Sequence, residues 1–289
     1  MTRENTIAEF EDADLGDERL DARLVQVAVR LAEHPDQSFP RVFPVDAELE
    51  AFYRLIGNDR VTPDGILEPH VQATVDRVGQ LETVVAIHDT TEFRFNGDRV
   101  GLGRLTTAGR GFMGHFSLMM DPHERHEPLG VAALHTWVRT KESATVKRHA
   151  GKVARQTRIR TEHERWPNQV DEVEKRIAGA ASVVHVMDSE ADDYTSLSKL
   201  AKANRRFVIR LGYDRRLDVE ASDSAPHRKT KAFVASAQAV GTRTVTLSKR
   251  KRQPGGGKRV RSKERKQRHA TLAISAKPVV FRRPSSATG

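Results

Sequence analysis

The sequence predicts a mixed α/β (α+β) chain: helices first, then strands that become linked by helices, then a β-rich basic segment. Three observations carry that prediction. Apolar residues recur every three or four positions over residues 1–79, the spacing of helices that bury one face. Over residues 80–212, short β-branched runs alternate first with polar turns and then with helical stretches. Over residues 213–289 strand-like alternation returns amid dense positive charge. These limits give the expected domains: a helical module (1–79), a core (80–212) and a basic β-rich segment (213–289).

In the helical module, Leu20, Leu24, Val27 and Leu31 share one helix face, Asp17 stands at the N-cap and Pro35 closes the segment. Arg19, Arg23 and Arg30 fall together on its polar side, where solvation alone would account for them. A second helix is expected near Asp46–Ile56 and a third over 65–79, with the turn "NDRVTPDG" between them. In the core, "TVVAIHD" (83–89) reads as a strand ending at Asp89. "GFMGHFSLMMD" and "GVAALHTWVR" are two more strands, joined by the turn "PHERHEP". A helix-prone "QVDEVEKRIAGA" precedes the strand that opens "VVHVMDSEADDYTSL" (183–197). A helix over 191–204 and the strand "RRFVIRL" (205–211) follow. Three strands joined by turns, then strands joined by helices, is the succession of a ribonuclease-H-like core. "TRTVTLS" and "ATLAIS" form a last pair of strands, separated by the 21 residues 249–269. A loop of that length is a candidate functional element.

Positive charge is concentrated toward the C-terminus. Residues 241–289 hold fifteen Lys or Arg and one acid, Glu264, a net of +14 in a chain of +10, which leaves residues 1–240 at −4. An acidic body with a basic extension points to nucleic acid as the partner. Lys249, Arg250, Lys251, Arg252, Lys258, Arg259 and Arg261, in two arms around Pro254 and the glycines 255–257, are the candidate phosphate contacts. The chain has no Cys, which excludes disulfides and thiolate zinc sites and makes a reducing cytoplasm the expected setting. There is no apolar leader at the N-terminus and no apolar run of about eighteen residues, so no membrane association is expected.

The segment 183–197 also carries the candidate chemistry. Val183, Val184, Val186 and Met187 are followed at once by Asp188, Glu190, Asp192 and Asp193. Crowded like charges have two explanations here: a helix N-terminus, which favours acids, or a cation held among them. Asp89 also ends a predicted strand, one that the proposed topology makes the neighbour of the first. Both carboxylates would then converge at one end of a sheet. Paired Asp with oxygen-only ligands suit Mg2+, with Mn2+ as a substitute, and suit phosphodiester chemistry. Other motifs fail. "DSEADDYTSLSK" lacks the Gly and the Glu that an EF-hand needs at its sixth and twelfth positions, and neither H-E-x-x-H nor G-x-S-x-G occurs. "GLGRLTTAG" (101–109) has the glycines of a phosphate loop without its Lys-Ser/Thr ending.

Six segments, in order, resemble the bacterial insertion-sequence-four family of DDE transposases, in its Tn-five-like branch: "LGDERLDARL", "FYRLIGND", "AIHDTTEF", "GFMGHFSLMM", "HVMDSEADDY" and "RRFVIRL". The resemblance runs over about residues 10–285. It implies cut-and-paste transposition, in which DNA is cleaved at transposon ends and transferred in a metal-dependent reaction. It implies Asp89 as the first catalytic and metal-binding aspartate, in an "(I/V)xDTT"-like segment with Thr90 and Thr91. Asp188 is the implied second, in a "DREAD"-like segment with Glu190 and Asp192, where Ser189 stands in place of the usual Arg. "EHERW" (162–166) resembles a Glu-Ser-x-Arg/Lys-Trp segment, with His163 in place of Ser. Arg19 and Arg23 match basic positions of the family's N-terminal DNA-binding module, Leu20 departs from one, and Arg210 matches a basic phosphate contact. The implied partners are double-stranded transposon-end repeats and a dimer with full-length transposase; the implied location is the bacterial cytoplasm, at the nucleoid.

The family's third carboxylate is a Glu in a Tyr…Arg…Glu…Lys signature, on a helix beyond a β-rich insertion. Residues 213–289 match the start of that insertion, and Glu264 is the last acid. The expectation is a C-terminally truncated transposase, weak or inactive alone. Two alternatives stand beside it: a non-catalytic end-binding inhibitor of full-length transposase, and a pseudogene remnant.

Overall fold

The computed structural model describes residues 2–97, 99–107, 109–123, 126–139, 152–218, 229–249 and 265–285, with side chains of 152–162 outside the description. Two units divide the chain, Met1–Arg210 and Leu211–Gly289.

The first unit begins with helices that each bury one stripe. α1 (Arg3–Phe10) is capped by Thr2, whose hydroxyl accepts from the Asn5 amide. α2 (Glu18–Glu33) starts where expected, because the Asp17 carboxylate accepts from the Arg19 amide and satisfies a donor the helix leaves open. α3 (Phe39–Val42), α4 (Asp46–Ile56) and α5 (Pro63–Val78) follow. Leu15, Leu24, Val27, Val42, Phe43, Phe52 and Leu55 close a helical core of their own, in which the Phe43 and Phe52 rings stack 5.0 Å apart.

β1 (Thr83–Phe95), β2 (Gly103–Arg104), β3 (Arg110–Met120), β4 (Pro128–Trp137), β5 (Ser182–Met187) and β6 (Arg206–Ile209) form one sheet. β1 pairs antiparallel with β3, and β3 pairs antiparallel with β4 and the short β2. On its other side β1 pairs parallel with β5, and β5 with β6. α6 (Lys152–Ile177) and α7 (Tyr194–Lys202) cross between the parallel strands, a connection that no tight turn could make. The mixed α/β fold and its strand order are those of the expected ribonuclease-H-like core.

One expectation needs correcting. β1 does not end at Asp89 but continues to Phe95, paired with β3 as far as Phe95↔Arg110. Thr91, Phe93 and Phe95 alternate with Thr90, Glu92 and Arg94, and β-branched and aromatic residues in alternation suit a pleated strand.

Alternation assigns the two faces. Val84, Ala86 and His88 of β1 and Val183, His185 and Met187 of β5 are buried, and Val173 and Ile177 of α6 and Val78 of α5 pack into the same core. Val85, Ile87, Val184 and Val186 lie on the other face, half-buried. α5 approaches β4 closely at Gly130. Gly130 sits at φ +140°, and a Cβ there would run into Thr74 Oγ1, so only glycine permits this contact. Arg77 secures it from α5: its Nε donates to the Leu129 carbonyl at 2.7 Å, and its other nitrogens donate to both oxygens of Glu9 in α1 at 2.9 and 2.8 Å.

In the second unit, α8 (Thr230–Ala235) precedes an antiparallel pair, β7 (Ala239–Leu247) and β8 (Arg268–Ser275). The pairing ends at Leu247↔Arg268, and both strands are largely exposed. No helix among the described residues is long and apolar enough to cross a membrane.

Candidate functional site

Parallel pairing of β1 with β5 runs from Thr83↔Ser182 to His88↔Met187. The next residue on each strand is an aspartate, Asp89 and Asp188. Cross-strand partners share a face, so Asp89 and Asp188 continue the row of Val85, Ile87, Val184 and Val186. Neighbouring strand backbones are about 5 Å apart, which brings the two carboxylates to one place. Asp89 is exposed, and among the described residues its carboxylate has no hydrogen-bond or ion-pair partner.

Asp188 is more engaged. Its Oδ1 accepts from the Glu190 amide at 2.7 Å and its Oδ2 from Arg210 Nη2 at 3.2 Å. The same Arg210 nitrogen donates to Ser189 Oγ at 3.2 Å. Arg210, implied as a phosphate contact, therefore rests on the second aspartate, with its side chain 70% exposed. Glu190 pairs with Arg165 at 3.1 Å, and Asp192 is buried. Asp193 takes the capping role, its carboxylate accepting from the Ser196 amide at the start of α7. The helix N-terminus thus accounts for Asp193 in the acidic run.

Two carboxylates with oxygen donors fit Mg2+, which keeps several waters and is bound through one or two carboxylates together with phosphate oxygens. A dedicated cage is not what these residues form: no group of three His, Cys, Asp or Glu that could hold a metal occurs among the described residues.

Beneath the aspartates, on the covered face, lies a polar band that sequence reasoning missed. Ser117 Oγ meets His88 Nδ1 at 2.9 Å, His88 Nε2 meets His185 Nδ1 at 2.9 Å, and His185 Nε2 meets Glu174 Oε1 at 3.0 Å. One assignment satisfies all three contacts. Glu174 only accepts, so His185 donates from Nε2, His88 donates to His185 Nδ1, and the Ser117 hydroxyl donates to His88. Both imidazoles are then neutral. Burial holds His88 well below the ordinary histidine range, aided by the neighbouring His185 and His115. Burial also lowers His185, with Glu174 offsetting part of the effect. His115 accompanies them, 2.9 Å from Thr90 Oγ1 and pushed down to about 3 by burial, then by Arg165 and His135. Thr90 thus points to the covered face, while Thr91 is exposed on the aspartate face. The missed signal was a lone His inside each of three apolar strand segments, "AIHD", "MGHF" and "VVHVM".

The predicted DNA contacts separate into three groups. Arg23 and Arg30 line one surface cavity of about 450 Å³ with Arg3, Phe43 and Glu48, and Arg30 pairs with Glu48 at 3.2 Å. Arg19 is 90% exposed and paired with Asp17 at 3.0 Å. Lys249 is exposed beyond β7, whereas Arg250, Lys251, Arg252, Lys258, Arg259 and Arg261 lie outside the described residues. The glycine-rich "GLGRLTTAG" is not a phosphate cradle. Its amides at Thr106 and Thr107 and the Thr107 hydroxyl donate to the Glu92 carboxylate.

Residues 3–61 match the family model described as transposase DNA-binding, which makes the helical module similar to the DNA-binding domain of transposases. Among solved structures, the chain is similar to a piggyBac transposase synaptic complex with hairpin DNA at 12% identity, over 84% of this chain and 55% of that one, with a TM-score of 0.35. It is also similar to the Mos1 strand transfer complex at 12% identity, over 66% and 58%, with a TM-score of 0.24. For the Mos1 transposase paired-end complex with left transposon end the values are 11% identity, 64% and 57%, and 0.22. The chain spans between 55% and 58% of the lengths of these proteins.

Proposed function

We propose that this chain is a transposase of the cut-and-paste type by descent, with Asp89 and Asp188 as its catalytic, metal-binding pair and the N-terminal helices as its contact with transposon-end duplex. The observation that carries the reading is that β1 and β5 pair in parallel up to the residue before each aspartate. The match of residues 3–61 supports the DNA-binding half. Bound Mg2+, or Mn2+ in its place, would supply charge neutralisation and nucleophile activation at a phosphodiester. The protein's own part is to hold two carboxylates side by side and to offer Arg210. Arg210, which rests on Asp188, is exposed and within reach of a phosphate oxygen if a cation were to take its place there.

A second reading rests on the same site: with two carboxylates and no third ligand among the described residues, the chain acts by occupying transposon ends, or by pairing with a full-length transposase, rather than by cutting. Manganese binding followed by electron paramagnetic resonance tests the site itself. Wild type should bind Mn2+, and Asp89→Asn and Asp188→Asn should each weaken binding about tenfold or more, since each removes one of two charged ligands. Equal binding by all three would sink the metal site. Nicking of labelled DNA in Mn2+ then separates the readings: weak cleavage abolished by Asp89→Asn supports the enzyme, and binding without cleavage supports the inhibitor.

A further inference from the structure

The seventeen residues 94–110 hold four Arg and one acid, and neither composition nor the aspartate site accounts for them. The described ones form the far end of the hairpin made by β1, β2 and β3. Arg94, Arg99 and Arg104 are exposed there, and among the described residues none of them pairs with a carboxylate. On the face that carries Asp89 stand Phe93, Phe95 and Phe112, and Arg104 shares it; Arg94 falls on the opposite face. Phe93 and Phe112 stack at 4.7 Å and 16°, and Phe95 and Phe112 at 5.8 Å and 25°. Arg99 lies over the Phe95 ring at 5.2 Å, and Val100 beside it is fully exposed.

A cross-strand Phe pair stabilises a hairpin by itself. It does not explain exposed guanidinium groups that have no carboxylate partner among the described residues, one of them lying over a ring. Positive charge that follows a backbone, with aromatic faces on which bases stack, is the chemistry that receives unpaired nucleic acid. Distance adds direction. Phe93 and Phe95 lie four and six residues beyond Asp89 along one strand and one face, about 13 and 20 Å at the usual rise.

We propose that the β1–β2–β3 hairpin end is a second DNA-binding surface, which takes an unpaired strand leading away from the Asp89–Asp188 pair. The proposal rests on the reading of the chain as a DNA-processing protein. Arg99 and Arg104 hold its phosphates; Phe93, Phe95 and Phe112 receive its bases. The Glu92 carboxylate, by fixing Thr106 and Thr107, keeps the loop after β2 folded against β1.

The test compares two fluorescent DNAs on the full 289-residue chain: a blunt duplex, and the same duplex with a single-stranded extension. Wild type should prefer the extended DNA by about fivefold or more, as stacking of even one base provides. In the double variant Arg99→Gln, Arg104→Gln that preference should vanish, and the slope of log K against log[salt] on extended DNA should flatten by about 1 unit. Blunt binding should change less than twofold. Phe95→Leu should reduce the preference while leaving the slope in place. A double variant that keeps both preference and slope overturns the proposal, and equal losses on both DNAs overturn the assignment to an unpaired strand. Wild type that binds neither DNA removes the DNA-processing reading itself, and this surface with it.

Discussion

His115 shows how a single residue couples the site to pH. Its imidazole is fully buried and its pKa lies at about 3 in the folded chain, against about 6.5 when exposed. The unfolded chain therefore takes up a proton first as pH falls. Stability is complete above about pH 6.5 and declines toward about pH 3, by about 1.4 kcal/mol per pH unit for each such histidine. Urea midpoints should fall from pH 7 to pH 5, and His115→Asn should show a decline smaller by about 2 kcal/mol. An equal decline in the variant would assign the acid sensitivity elsewhere. Glu92 has the opposite charge type. Burial raises its pKa, but hydrogen bonds from Thr107 and Thr106 outweigh that and bring it to about 2. Its contribution is present above about pH 4.5 and is lost as pH falls through about 2. Glu92→Gln should accelerate amide exchange at Thr106 and Thr107 at neutral pH, with the sheet core unaffected.

At the scale of elements, helix boundaries were legible where side chains cap or break: Asp17 starts α2, and α4 spans Asp46–Ile56 as expected. Local signals failed where tertiary pairing decides. The outer half of β1 reads as a polar connection until β3 is known to lie beside it. α6 begins at Lys152, well before the helix-prone "QVDEVEKRIAGA". That Asp89 and Asp188 lie on neighbouring strands was legible because each closes an apolar run. Arg210's hold on Asp188 was not, since nothing in the sequence distinguishes a guanidinium waiting on a carboxylate from one waiting on a phosphate. The junction between α5 and β4 gives a sharper test of packing. Gly130→Ala combines an unfavourable φ with a collision at Thr74 Oγ1, and should cost about 1–3 kcal/mol; a thermal melt with an unchanged midpoint would show that the helix yields freely.

For the whole molecule, charge is the property that acts at a distance. The first 240 residues are net negative and the last 49 strongly positive, so affinity for DNA should depend steeply on salt. Deleting residues 249–268 should flatten the slope of log K against log[salt] by several units, and an unchanged slope would make that loop a bystander. The division at Arg210 and Leu211 predicts that residues 1–210 alone melt cooperatively and still bind duplex, with a shallower salt slope than the full chain.

The polar band under the aspartates bears on how faithfully the chain folds. Side chains repeat every two residues along a strand, so a two-residue slip of β5 against β1 would keep apolar groups facing inward and would cost little if the band were apolar. Such a slip would carry Asp188 about 7 Å away from Asp89. His88, His185 and Glu174 make the error expensive, because their nitrogens and oxygens meet at 2.9 and 3.0 Å in only one alignment. Any other alignment leaves imidazole nitrogens unbonded among Val and Met side chains, at about 1–3 kcal/mol for each lost partner. The histidines thus act as a vernier, converting a choice among near-equivalent pairings into the single one that sets two carboxylates side by side.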